Sequence, residues 1–138
     1  MPVHGGVLRL DTRGDDHIVD LTPGVQRVVA GTEIQMGLVT VFVTGSTAAV
    51  TTMEHEPGGV ADLRGLLERL IPSAGEYEHN RRNYDTNAHA HLRAALIGPS
   101  ESIPLVDGRL VLGTWQQVVL LDFDDRPRTR TVTVQVLS

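Results

Sequence analysis

Two stretches of this chain are too continuously apolar to lie on a sheet with one wet face. Residues 37–43 read Gly-Leu-Val-Thr-Val-Phe-Val, and residues 116–123 contain Val118, Val119, Leu120 and Leu121 in a row. Apolar runs of this kind, rich in β-branched residues, read as strands covered on both faces. Residues 131–136 instead alternate, Thr-Val-Thr-Val-Gln-Val, so Val132, Val134 and Val136 face one core. Asp107-Gly108 between the apolar runs 102–106 and 109–112 predicts a hairpin, because a type I′ turn needs positive φ at both central residues. Residues 7–10 and 17–20 read as short strands, and 47–53 as an extended segment.

Helical signals are fewer. Thr22-Pro23 reads as a helix start, with Val25, Val28 and Val29 on one face and Gly31 as the stop. Glu56-Pro57-Gly58-Gly59 is punctuation, and 60–71 is the strongest helix, with Val60, Leu63, Leu67 and Leu70 on one side and Pro72 ending it. Residues 73–87 read as a long polar loop, and residues 89–96 as an element whose type the pattern leaves open. About seven or eight strands and two main helices, segregated along the chain, predict an α+β fold with a β-sandwich-like core. With 138 residues, it is expected to be a single domain, 1–138. Two helices are little cover for the runs 38–43 and 118–121, so a partner subunit is expected to supply the rest.

Lys+Arg 12 against Asp+Glu 17 gives a net charge of −5, which argues against a nucleic-acid binder. The absence of Cys excludes disulfides, thiolate nucleophiles and zinc–cysteine sites. No apolar run approaches the ~20 residues that span a bilayer. Met-Pro-Val-His-Gly-Gly at the start lacks a basic segment followed by an apolar one, so the expectation is a cytoplasmic protein with no membrane partner.

The chemistry-bearing residues concentrate in one half of the chain. Of 6 His, four (His55, His79, His89 and His91) share a stretch with Glu54, Glu78 and Asp85. Imidazole with carboxylate suits Zn, Fe, Ni or Cu, and carboxylate with water suits Mg or Mn. His89 and His91 share a face only if their segment is extended, since on a helix they diverge by about 200°; otherwise they are polar side chains leaving a solvated loop. Glu54 and His55 follow a strand, where sites are commonly built, or they are a solvated strand end. Gly58-Gly59 ahead of a helix could meet an anion, though two glycines are few for a phosphate loop. Trp115, the only Trp, lies in Gly113-Thr114-Trp115-Gln116 and reads either as a pocket wall beside a hydroxyl and an amide or as a core residue at a strand start.

The run Val106-Asp107-Gly108-Arg109-Leu110, followed by Leu112-Gly113-Thr114-Trp115-Gln116, resembles the signature of the YjbQ-like family, described as secondary thiamine-phosphate synthases. Gly37-Leu38, Thr47-Ala48-Ala49, Glu54, Leu70-Ile71-Pro72, Tyr77-Glu78-His79-Asn80 and Ala90-His91-Leu92-Arg93 agree with it in order and spacing. The resemblance implies a small α+β fold assembled as a homotrimer, with clustered histidines binding a divalent metal, Zn or Mg, near subunit boundaries. It implies weak thiamine-phosphate synthase-type activity, in which an aminopyrimidine diphosphate joins a thiazole phosphate and pyrophosphate leaves. His79 and His91 would hold the metal, Glu54 would be a ligand or general base, and Ser46 and Thr47 would belong to the catalytic segment. Thr114, Trp115, Gln116 and Asn80 would shape the site for a phosphorylated small molecule. The His of the family's usual His-Thr-Ser/Thr-Ala segment is Gly45 here, within Gly45-Ser46-Thr47-Ala48, so either His55 or His89 replaces it or the site is a degenerate, ligand-binding one.

Overall fold

The alternation in residues 128–137 decides the layer arrangement. In β8 (Arg128–Leu137), Val132, Val134 and Val136 are fully buried while Thr129 and Gln135 face outward. β8 pairs antiparallel with β1 (Val3–Thr12) and β3 (Met36–Val43), and β5 (Ser100–Val106) and β6 (Arg109–Leu110) extend this sheet to five strands. The second sheet runs β2-β7-β4, from β2 (His17–Asp20), β7 (Gln117–Asp122) and β4 (Ala48–Met53). This computed structural model describes residues 3–138, with eight strands and four helices in a mixed α+β sandwich.

β7 is covered on both faces within one chain, as its composition requires. Val118 and Leu120 point into the core between the sheets, with Val39, Val41, Val43 and Val50. Val119, Leu121 and Phe123 point the other way, into a second core with Ala49, Leu67, Ala90 and Ala94. That second cover comes from α2 (Pro57–Leu70) and α4 (Ala88–Ile97), so no partner subunit is needed over residues 118–121. β3 differs. Its Val39, Val41 and Val43 are buried, but Leu38 and Phe42 on the alternate positions remain 40% and 43% exposed. α1 (Thr22–Thr32) inserts Val25 and Val29 into the inter-sheet core beside β1 and β8, where the narrower sheet does not reach.

The helix ends depart from expectation in instructive ways. Leu21, not Thr22, is the N-cap of α1; Thr22 N–H donates to Asp20 Oδ1 (2.9 Å) and the Thr22 hydroxyl accepts from Val118 N–H (2.9 Å). α2 begins at Pro57, and its N-cap Glu56 accepts from the N–H groups of Gly58 and Gly59. An internal carboxylate therefore occupies the helix end considered for an external anion. The segment read as a long loop contains α3 (Glu78–Asn83), and the open element at 89–96 lies in the helix α4. Asp107 (φ 51°) and Gly108 (φ 71°) form the type I′ turn at the β5–β6 hairpin. No helix among the described residues is long and apolar enough to cross a membrane.

Arg93 fixes α4 in place. Its guanidinium is 2% exposed, bonded to Asp16 (2.9 Å), Glu68 (2.8 Å) and the Ile71 carbonyl (2.7 Å). This ties α4 to the end of α2 and to the turn before β2, and so sets the direction in which the rest of α4 points.

Candidate functional site

The loop between β3 and β4 sits on a buried polar network. Thr47 is 3% exposed; its hydroxyl donates to Asp124 Oδ2 (3.1 Å) and accepts from Arg130 Nη2 (2.6 Å). Arg130 also grips Asp122 with both Nε (2.7 Å) and Nη2 (2.8 Å), and Thr12 donates to the same carboxylate (2.5 Å). Asn87, at the N-cap of α4, donates to Asp124 Oδ1 (3.5 Å), while its own Oδ1 has no partner. Burial by itself would raise the Asp124 carboxyl's pKa, but the Asp125 N–H, the Thr47 hydroxyl, the Asn87 amide and the Arg128 guanidinium together hold it below the ordinary value.

α3 and α4 bring His79 and His91 together over this loop, with ring centroids 4.6 Å apart and planes at 50°. Asn80 Oδ1 accepts both from Ala88 N–H (3.0 Å), which starts α4, and from His79 Nδ1 (3.2 Å). Accepting from the Ala88 N–H identifies that atom as the amide oxygen, so His79 Nδ1 is the donor to it. In the neutral imidazole this tautomer leaves the Nε2 lone pair for a metal. His91 borders a hollow of about 240 Å³ shared with Gly45, Ser46, Ala48, Ala94 and Pro99. His79, Asn80, His91, Ser46 and Thr47 thus share one region.

The other predicted site residues lie elsewhere. His89 is buried on a different face of α4 with its Nδ1 unpartnered, as a helix requires for residues two apart. His55 Nε2 lies 3.2 Å from the Ile18 carbonyl, towards the β2 edge of the small sheet, whereas α4 packs on β4 at the other edge. Glu54 is exposed just past the far end of β4. Thr114 and Gln116 line a cleft of about 690 Å³ with Thr22, Gln26, Gln35 and Arg109. Gln116 Nε2 donates there to Thr52 (3.1 Å), next to the end of β4, so a strand of six residues, roughly 20 Å, separates this cleft from the loop. Trp115 is 72% exposed and belongs to no core.

Among the described residues, no three His, Asp or Glu side chains come together as a cation site, so the implied metal finds two imidazoles in one chain. A Cβ on Gly45 would lie 2.7 Å from Arg130 Nη1, and Gly45 holds φ +132°. An imidazole at position 45 does not fit this backbone. Arg130, Asp122 and Asp124 carry no motif that marks them in the sequence as site residues. The one signal is the register of Arg130 with Val132, Val134 and Val136, a charged residue on the core face of an alternating strand.

The comparisons agree with this architecture. The family profile described as "UPF0047 protein YjbQ-like" matches residues 6–138. A UPF0047 protein of Archaeoglobus fulgidus is 42% identical over 130 residues, covering 94% of this chain and 98% of that one. UPF0047 protein Rv2556c of Mycobacterium tuberculosis is 40% identical over 88% of this chain and 90% of its own length. The crystal structure of a YbjQ-like protein of unknown function from Sulfolobus solfataricus superposes with a TM-score of 0.93 at 33% identity, covering 99% of this chain and 98% of that one. A hypothetical protein from Aeropyrum pernix gives a TM-score of 0.90 at 36% identity over 100% of this chain and 99% of its own. With the same two-sheet fold and the family's sequence pattern running from Gly6 to the last residue, the chain belongs to the YjbQ-like UPF0047 family.

Proposed function

We propose that His79 and His91 hold one divalent cation, and that the loop beneath them receives a phosphorylated small molecule. The observation that carries this reading is the pair of imidazoles 4.6 Å apart, with Asn80 fixing the His79 tautomer. Two imidazoles favour Zn over Mg, which prefers oxygen ligands and water. The remaining ligands would come from the phosphorylated molecule or from a neighbouring protomer. The reaction the family resemblance implies is thiamine-phosphate synthase-type transfer, in which a bound cation would stabilise the departing pyrophosphate.

The assembly in this reading is a homotrimer. Its support is the uncovered face of the five-stranded sheet, where Val3, Leu137, Leu38 and Pro104 stand opposite one another in one row across four strands. Phe42 and Val7 extend that face, and exposed Trp115 and Tyr84 add aromatic anchors of the kind that interfaces bury. The Thr114–Gln116 cleft and the His79–His91 pair lie apart in one chain, so a site that used both would take them from two protomers. A silent, ligand-binding trimer is the second reading, favoured by the absence of a third protein ligand among the described residues.

Metal analysis of untagged protein, together with light scattering, tests the proposal. Expected are a trimeric mass, against 15.0 kDa for one chain, and about one bound cation per chain that is lost in His91→Ala. Unchanged metal content in that variant overturns the ligand assignment, and a monomer removes any site shared between chains. Metal bound without turnover on the diphosphate and phosphate pair selects the silent reading.

A further inference from the structure

We infer that Arg130 and the backbone of Gly45, Ser46 and Thr47 form an oxyanion subsite that takes a phosphoryl group. This deepens the proposed function, resting on it only for the identity of the whole ligand. Arg130 is 3% exposed, and its Nε and Nη2 are committed to Asp122 and Thr47. Its Nη1 has no hydrogen-bond partner in the protein, and it is not among the sealed, unpartnered atoms, which are Asn87 Oδ1 and His89 Nδ1. It faces Gly45, where a Cβ would stand 2.7 Å away, and glycine's freedom at φ +132° keeps the space above it clear. A buried guanidinium with its Nη1 amino group left open beside a glycine is an arrangement that costs desolvation unless something accepts from it.

The loop adds further donors. Among the described residues, no acceptor takes the backbone N–H groups of Gly45, Ser46 or Thr47. Ser46 is exposed, and His91 borders the same hollow. The nearest carboxylates, Asp122 and Asp124, are 0% and 1% exposed and spent on Arg130, Thr12, Thr47 and Asn87. The loop therefore carries free donors, with the carboxylates below it tied up. A guanidinium nitrogen and successive unpartnered backbone amides in one loop match a tetrahedral oxyanion better than a halide, which lacks several oxygens to share among them.

Amide NMR spectra of the ¹⁵N-labelled protein, titrated first with inorganic phosphate and then with pyrophosphate, test the inference. The amides of Gly45, Ser46 and Thr47 are expected to shift first. Ser46→Asp, at an exposed position, places a carboxylate among the donors and should weaken binding at least about tenfold. Arg130→Lys keeps a charge for Asp122 but loses the Nη1 fork, with the same expected loss; if it fails to fold, Ser46→Asp carries the test. No phosphate-induced shifts, shifts confined to residues around Thr114–Gln116, or undiminished binding by Ser46→Asp would overturn the inference. Loss of the cation in His79→Ala, measured separately, reports on the metal reading alone, because the amide shifts at 45–47 are read in metal-free protein as well.

Discussion

The two ends of β4 solve the problem of polar groups in opposite ways. At the Ala48 end, Thr47, Asp122, Asp124 and Arg130 are all nearly fully buried and bond to one another across sequence separations as large as 83 residues, with Arg130 Nη1 alone of its nitrogens left open. At the Met53 end, Gln116, Thr114 and Trp115 are exposed, and Gln116 bonds to Thr52 and its own turn. Every bond at the second end can be exchanged for one to water, whereas at the first end losing a partner strands a charge. A rigid, pre-paired network suits the grip on a small charged group. An open, aromatic-bearing loop suits a surface that another protomer completes.

The comparison breaks most readily at Arg130. Arg130→Met leaves Asp122 buried without its cation and should lower unfolding free energy by about 3–5 kcal/mol in a denaturant titration. Gln116→Ala should cost less than about 1 kcal/mol in the same assay. Similar losses for the two would mean the ends are not built differently. Trp115→Ala sharpens the contrast from the other side. In the proposed trimer it should weaken association by about 2 kcal/mol or more, seen as dissociation on dilution in light scattering, while the thermal stability of the isolated chain stays unchanged.

Acid exposes a smaller difference. The Asp124 carboxyl is held below its ordinary value of 3.8 in the folded chain. Its contribution to stability is therefore complete above that ordinary value and is lost as pH falls through the lower native one. Denaturant midpoints measured from about pH 5 downward should fall through this acid range, and Asp124→Asn should flatten that fall. An equally steep acid limb in the variant would place the sensitive group elsewhere.

Much of the frame was legible because period and burial coincide. The unbroken run in β7 correctly predicted two covered faces, and Asp107-Gly108 correctly predicted its turn. What the run could not say is that the second cover is α2 with α4. α4 carries Ala and His where a helix normally advertises a Leu stripe, so its own periodicity is weak. α3 has six residues and buries none, which leaves no apolar signal at all. The His79–His91 pairing came from family resemblance, not from spacing, since the two are joined only by the corner between α3 and α4. Arg130 went unread because a lone charge in an alternating strand gives no hint of its partners on β7 and in the β3–β4 loop.

Two rings sharing one ion are the centre of the proposed function. A crystal of the untagged protein, measured just above and just below the zinc absorption edge, tests this most directly. An anomalous peak lying about 2.0–2.1 Å from Nε2 of both His79 and His91 is the predicted result. A zinc-soaked crystal whose map is flat between those nitrogens, or whose peak sits on other side chains, would contradict it.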